Sequence, residues 1–140
     1  MSYEEPTLSE ITSTILPESN RLGFLPTVFK SEMVLGEALV YRWMRAISQD
    51  YNGGYWDYFS LSNGGFYMAP HGTGRFLVTV SGNHFNGELS ANTAGIVATL
   101  YALCELANRT GEDWFINLYH YLRDYAVQHP DGSLILAAID

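Results

Sequence analysis

Apolar residues recur at helical spacing in three long segments of this chain, Glu32–Ser48, Ser90–Asn108 and Asp113–Pro130. In each segment the large apolar side chains fall on one arc, which is typical of an amphipathic helix packed against a core. Ser90 is a residue type that often caps helix N-termini. The tail, residues 133–140, fits either a short helix or a strand. The pattern therefore predicts about four α-helices.

Between the first two of these helices the pattern changes to the two-residue alternation of β-strands. The pair Asn63-Gly64 favours a tight hairpin turn there. Four successive segments are predicted as strands, namely Tyr55–Leu61, Phe66–Ala69, Arg75–Ser81 and His84–Leu89. Because each follows the last after a short connection, we expect one antiparallel four-stranded β-meander packed against the helices.

Strands grouped in the middle, with helices on either side, favour the α+β class over an alternating α/β fold. A chain of 140 residues has the size of one domain, and we expect residues 1–140 to form it. Three prolines, Pro6, Pro17 and Pro26, break the start of the chain into short pieces. Residues 1–20 are therefore predicted only as a poorly defined N-terminal segment.

The helical arcs also predict which side chains fill the core. Cys104 lies within the arc of the second helix, where a thiol is expected to fill space as a small hydrophobic side chain. In the third helix the inward positions are predicted to be Trp114, Leu118, Tyr121, Leu122 and Tyr125.

Composition and charge exclude several classes of protein. Hydrophobic residues make up 47% of the chain and charged residues 16%, which excludes intrinsic disorder. The net charge of −8 excludes neutralisation of nucleic-acid phosphates on any large scale, so no direct nucleic-acid partner is expected. The acidic residues are scattered, unlike the closely spaced charges that a protein imitating DNA needs.

The sequence also bears on location. No segment reaches the length of an apolar membrane span, and the N-terminus lacks the basic start of a signal peptide. We therefore expect a cytoplasmic protein without a membrane partner. Its single cysteine cannot form an internal disulfide.

Residue types that support catalysis or metal binding are present without the spacing that either function requires. The four histidines, at positions 71, 84, 120 and 129, form no close pair of the kind found in zinc sites. His84, Asn86 and Glu88 share one face of the predicted fourth strand, but a polar strand face is typically solvent-facing. We therefore predict no catalytic residues, no metal site and no cofactor.

Several blocks of sequence, in a fixed order along residues 20–140, match those of a known family. The most specific is the ten-residue block Leu61–Pro70, which reads LSNGGFYMAP. The others are Arg21–Pro26, Gly36–Tyr41, Tyr51–Trp56, Gly82-Asn83, Phe85, Gly87–Ala91, Ala94–Ile96, His129-Pro130 and Ala137–Asp140. By these blocks the chain resembles the ArdB/KlcA family of antirestriction proteins.

The resemblance implies a protein of plasmids or other mobile elements that relieves the restriction of incoming DNA by type I restriction-modification endonucleases. It implies an inhibitor rather than an enzyme, acting without imitating DNA. The implied partner is the endonuclease complex or an accessory factor. Two alternatives stay open, an acidic DNA mimic and a non-catalytic protein-interaction module of a mobile element, and the sequence does not define the oligomeric state.

A protein-binding role directs attention to aromatic and charged side chains, since these carry most interface energy. Glu37 and Tyr41 are one helical turn apart at the edge of the first apolar arc. Arg21 and Trp56 lie in blocks that carry the resemblance. We predict Arg21, Glu37, Tyr41 and Trp56 as partner contacts. The structural alternative places Trp56 in the core and pairs Arg21 with Glu37 in a half-buried salt bridge.

Overall fold

The computed structural model describes residues 10–140, which contain five α-helices and five β-strands. The helices are α1 (Arg21–Phe29), α2 (Met33–Ile47), α3 (Ala91–Thr110), α4 (Asp113–Gln128) and α5 (Gly132–Ile139). The strands are β1 (Ser13–Ile15), β2 (Trp56–Leu61), β3 (Phe66–Pro70), β4 (Arg75–Val80) and β5 (Phe85–Ser90). The α+β class and the four predicted strands are confirmed, and the tail is a helix.

The strands form two antiparallel sheets, so the single four-stranded meander is wrong. β1, β2 and β3 form one sheet in that order, while β4 and β5 form a second. In the first sheet Phe59 lies between Ile15 and Tyr67. In the second, Val78 lies opposite Gly87.

Helix α3 covers the outer edge of β3, which explains why β4 does not extend the first sheet. The Thr99 hydroxyl accepts a hydrogen bond from the Met68 N–H (3.2 Å between N and Oγ1) and donates one to the Met68 carbonyl oxygen (3.3 Å). Gly95 packs directly on Ala69, where a Cβ on the glycine would overlap the Ala69 backbone. Pro70, at the end of β3, has no N–H to donate to a further strand.

Helix α3 is also the centre of the core. Its predicted N-cap is confirmed, since the Ser90 Oγ accepts a hydrogen bond from the Thr93 N–H at 3.1 Å. Residues 91–100 are buried on almost every side, but further along only Ala102, Leu103 and Leu106 are buried. Cys104 is exposed. The prediction that it fills the core is wrong because this part of the helix is buried on one face only, through Leu103 and Leu106, and Cys104 lies outside that face.

Helix α4 packs through a face rotated from the predicted one. Its buried side chains are Phe115, Leu118, Leu122 and Ala126. Trp114 and Tyr121, both predicted as core, are partly exposed because Phe115 occupies the inward position. Trp114 instead donates its Nε1–H to the Val28 carbonyl oxygen at 2.9 Å, which ties α4 to the end of α1.

The part of the chain before α2 consists of short elements, in keeping with its prolines. The described part of the predicted N-terminal segment contains β1 and a 3-10 turn at Glu18–Asn20, whereas residues 1–9 lie outside the described residues. Helix α1 contains Pro26 and ends at Phe29, just before Lys30, whose φ is 52°. The hydrophobic pattern did not predict β1 or α1 because each is too short to show a period.

Candidate interaction site

Three elements bring the four predicted contact residues into one cluster. Arg21 begins α1, Glu37 and Tyr41 lie one turn apart on α2, and Trp56 begins β2. The Arg21 Nη2 donates a hydrogen bond to the Trp56 carbonyl oxygen at 2.6 Å. The Tyr41 ring meets the Trp56 indole edge-on, with 5.1 Å between the ring centroids. The two helices and the first sheet are therefore joined at this point.

The guanidinium of Arg21 is held by aromatic rings. Its Cζ lies 4.5 Å from the centroid of the Tyr55 ring and 4.1 Å from that of Tyr58. Such contacts stabilise a cation through the ring quadrupole, and the hydrogen bond to Trp56 fixes the plane of the guanidinium. Tyr58 is buried and Tyr55 is exposed, so the charge sits at the boundary between core and solvent.

Arg21 and Glu37 do not form the half-buried salt bridge of the structural alternative. Among residues 10–140, the ion pairs within 4.0 Å join other side chains. The Glu37 Oε1 accepts a hydrogen bond from the Tyr41 hydroxyl at 3.1 Å. The carboxylate is therefore stabilised by a hydroxyl rather than by a cation.

The two tyrosines beside Glu37 both have a raised pKa. Burial raises the pKa of Tyr41 well above its ordinary value, and the neighbouring Glu37 charge raises it further. Burial also raises the pKa of Tyr58, with Glu37 adding to the effect and Arg21 opposing it. The Tyr41 hydroxyl therefore stays protonated well into the alkaline range and remains the donor to Glu37.

The Trp56 side chain is buried and contacts Tyr41 of the cluster from the core side. Its side chain is only 3% exposed. The indole Nε1–H donates a hydrogen bond to the Tyr51 hydroxyl at 2.9 Å, and the two rings pack edge-on. Buried in this way, Trp56 positions Arg21 through its carbonyl oxygen and Tyr41 through its ring. The half-exposed members, Arg21, Glu37 and Tyr41, are the ones that can meet a partner.

Two open grooves flank Glu37. One, of about 350 Å³, lies between α1 and α2 over Tyr58, and is lined by Arg21, Leu22, Leu25, Pro26, Met33 and Glu37. The other, of about 250 Å³, follows α2 and is lined by Met33, Val34, Glu37, Ala38 and Tyr41. Leu22 and Val34 were not predicted as contacts, because the hydrophobic pattern did not predict α1, and on α2 the prediction rested on the polar pair Glu37 and Tyr41.

His84, Asn86 and Glu88, the other residues considered from the sequence, do not form a separate site. Glu88 pairs with Arg75, with 2.8 Å between Oε1 and Nε, and Asn86 accepts a hydrogen bond from the Thr79 hydroxyl. Both lie, with His84, on the exposed surface around β5, as expected for a solvent-facing polar face.

Within residues 10–140, no three His, Cys, Asp or Glu side chains lie close enough together to bind a metal ion. No helix in that range combines the length and the apolar character needed to cross a membrane.

A family model and several known protein sequences match this chain. A family model described as antirestriction protein matches residues 49–140. The antirestriction protein KlcA of Escherichia coli is 48% identical over 135 residues, which cover 93% of this chain and 95% of that protein. The putative antirestriction protein YubI of Escherichia coli strain K12 is 32% identical over 148 residues, covering 100% of both.

A solved structure has the same fold. It superposes with a TM-score of 0.87 at 50% sequence identity and covers 100% of both chains. It is described as a structure of the KlcA and ArdB proteins, which show a novel fold and antirestriction activity against type I DNA restriction systems in vivo but not in vitro.

Proposed function

The chain belongs to the ArdB/KlcA family of antirestriction proteins, and from this we propose that it protects incoming DNA by inhibiting type I restriction-modification endonucleases. The observation that carries the proposal is the match to the solved structure, whose 50% identity extends over the whole of both chains. The proposed place of action is the cytoplasm.

The mechanism we propose is binding to a protein, without catalysis and without imitation of DNA. The partner is the type I endonuclease complex or an accessory factor. An accessory factor is supported by the relatives, whose activity is seen in vivo but not in vitro. Imitation of DNA is disfavoured because acidic side chains such as Glu105, Glu88 and Asp140 are already paired with arginines.

The proposed contact residues are Arg21, Glu37 and Tyr41, with Trp56 as their support. Arginine and tyrosine are enriched among the side chains that dominate binding energy at protein interfaces. Here they are also held rigidly, by ring contacts at Arg21 and by a hydrogen bond at Tyr41. Little side-chain freedom is then lost when a partner binds.

The test is the plating efficiency of unmodified phage on a host with an active type I system, with and without expression of the protein. We expect a rise of orders of magnitude that is absent in a host lacking the system. Arg21→Ala should weaken binding by about tenfold or more, and so reduce the rise, because it removes a rigid interface arginine. Arg75→Ala is the matched control, since Arg75 is an exposed arginine in the second sheet.

Two results would contradict the proposal. No rise with soluble protein present would show that type I restriction is not the target. Inhibition of the purified endonuclease that high salt abolishes and added DNA competes away would instead establish the acidic DNA mimic.

A further inference from the structure

The two most exposed large hydrophobic side chains of residues 10–140 lie on either side of Glu37. Leu22 on α1 is 94% exposed and Val34 on α2 is 78% exposed. Leu22 lines the groove between the two helices and Val34 lines the groove along α2, and both grooves also include Met33 and Glu37. An apolar surface with one carboxylate at its centre is therefore open to solvent. We call Leu22, Met33, Val34 and Glu37 the α1–α2 surface.

The charge at the centre of this surface has no cationic partner. Within the described part of the chain, no Arg, Lys or His nitrogen lies within 4.0 Å of the Glu37 carboxylate. Arg21, the cation of the same groove, is directed to the rings of Tyr55 and Tyr58 and to the Trp56 carbonyl oxygen. A carboxylate among apolar side chains is only partly solvated, so pairing with an incoming cation is worth more there than on an open surface.

We propose that the α1–α2 surface binds a segment of a partner protein that presents a basic side chain between apolar ones. The basic head group pairs with the Glu37 carboxylate, its aliphatic stem lies along Met33, and the flanking apolar side chains cover Leu22 and Val34. The net charge of −8 also attracts a basic segment as it approaches. This inference rests on the proposed function and defines the chemistry of its partner.

The cellular test places a charge on each apolar side of the surface. Leu22→Glu and Val34→Glu are expected to reduce the relief of restriction by at least about tenfold, because they place a carboxylate where the bound partner would bury an apolar side chain. Both positions are in the first turn of a helix, where a negative charge favours the fold. Leu77→Glu is the matched control, since Leu77 is a 50% exposed hydrophobic residue in the second sheet.

The partner chemistry is tested with two short synthetic peptides in which leucines flank either a central arginine or its uncharged isostere citrulline. Methyl resonances of the full-length protein are followed by NMR during each titration. We expect the arginine peptide to shift the Leu22 and Val34 methyl signals and to bind at least about tenfold more tightly than the citrulline peptide. Glu37→Gln should abolish the difference. Equal binding of the two peptides, or shifts confined to other residues, would overturn the inference.

The outcomes separate this inference from the proposed function. If Arg21→Ala reduces relief but Leu22→Glu and Val34→Glu do not, the inference fails and the proposed function stands. If the unaltered protein gives no relief, the proposed function fails and the two peptides alone decide the inference. If sedimentation shows self-association that Val34→Glu abolishes, a second copy covers the surface and the basic partner is excluded.

Discussion

At the residue scale, aromatic rings rather than an opposite charge hold the arginine at the start of α1. Arg21 contacts Tyr55 and Tyr58 and donates a hydrogen bond to the Trp56 carbonyl oxygen. A planar guanidinium can stack on rings and donate a hydrogen bond in its own plane, whereas a lysine ammonium is a compact point charge. The geometry therefore requires arginine at this position and not only a positive charge.

We predict that Arg21→Lys lowers the free energy of unfolding by about 1 kcal/mol, because ring contact and hydrogen bond cannot both be kept. Urea denaturation measures the change. Arg75→Lys, at an exposed ion pair, should stay within about 0.5 kcal/mol of the unaltered protein. Equal effects of the two substitutions would show that the rings contribute nothing specific.

A second residue-scale prediction concerns Tyr67, whose ring stacks between Phe59 and Tyr125. Burial raises the pKa of Tyr67 from 10.0 to about 12, against opposing hydrogen bonds with Ser13 and Asn92. The folded protein thus holds this proton more tightly than the unfolded chain. The associated stability is fully present below pH 10 and is lost as the pH rises towards 12.

Chemical denaturation across this range should show an alkaline loss of stability to which Tyr67 contributes up to about 3 kcal/mol. In Tyr67→Phe that contribution should disappear, so the variant should lose less stability than the unaltered protein over the same range. Tyr41 also has a raised pKa and supplies part of the remaining loss. A Tyr67→Phe profile parallel to that of the unaltered protein would contradict the assignment.

The cluster of Arg21, Glu37, Tyr41 and Trp56 illustrates what the sequence can predict about a site. Spacing on one helix placed Glu37 and Tyr41 together, and they are hydrogen bonded. The resemblance identified Arg21 and Trp56 as candidates, but it did not predict the direction in which their side chains point. Arg21 contacts the rings of Tyr55 and Tyr58 and not the expected Glu37, and these two tyrosines lie in a distant part of the chain. Contacts between such distant segments depend on packing that no local pattern records.

At the element scale, helix α3 decides how the strands are arranged. Hydrophobic periodicity predicted α2, α3 and α4, and strand-type segments separated by turns such as Asn63-Gly64 predicted the four strands from β2 to β5. The division into two sheets depends on Thr99 and Gly95, which seat α3 on the edge of β3. Short connections between strands do not reveal that a helix from later in the chain occupies that edge.

The close contact between Gly95 of α3 and Ala69 of β3 gives a prediction at this scale. Gly95→Ala should lower the free energy of unfolding by about 1–3 kcal/mol, because the added methyl group overlaps the Ala69 backbone and the helix has to shift. Gly23→Ala is the matched control on α1, where a Cβ meets no atom within 4 Å. It should raise stability by up to about 1 kcal/mol through helix propensity. Thermal denaturation compares the two, and a neutral Gly95→Ala would show that the contact is loose.

At the scale of the whole molecule, the negative charge is distributed in two ways. Some acidic side chains are neutralised locally, as Glu105 is by Arg42 and Arg109. Others, including Glu18 and Asp124, are simply exposed to solvent. A DNA mimic depends on many such charges at close spacing, whereas an interaction site depends on one of them being in the right place.

These alternatives make opposite predictions for a pair of variants. Glu18→Gln, Glu112→Gln and Asp124→Asn together remove three exposed negative charges, taking the net charge from −8 to −5. We expect this triple variant to relieve restriction as well as the unaltered protein does. Glu37→Gln removes one charge and should reduce relief by about tenfold, since its carboxylate is the centre of the α1–α2 surface. Plating efficiency measures both. If the triple variant loses activity and Glu37→Gln keeps it, total charge rather than this one surface governs inhibition.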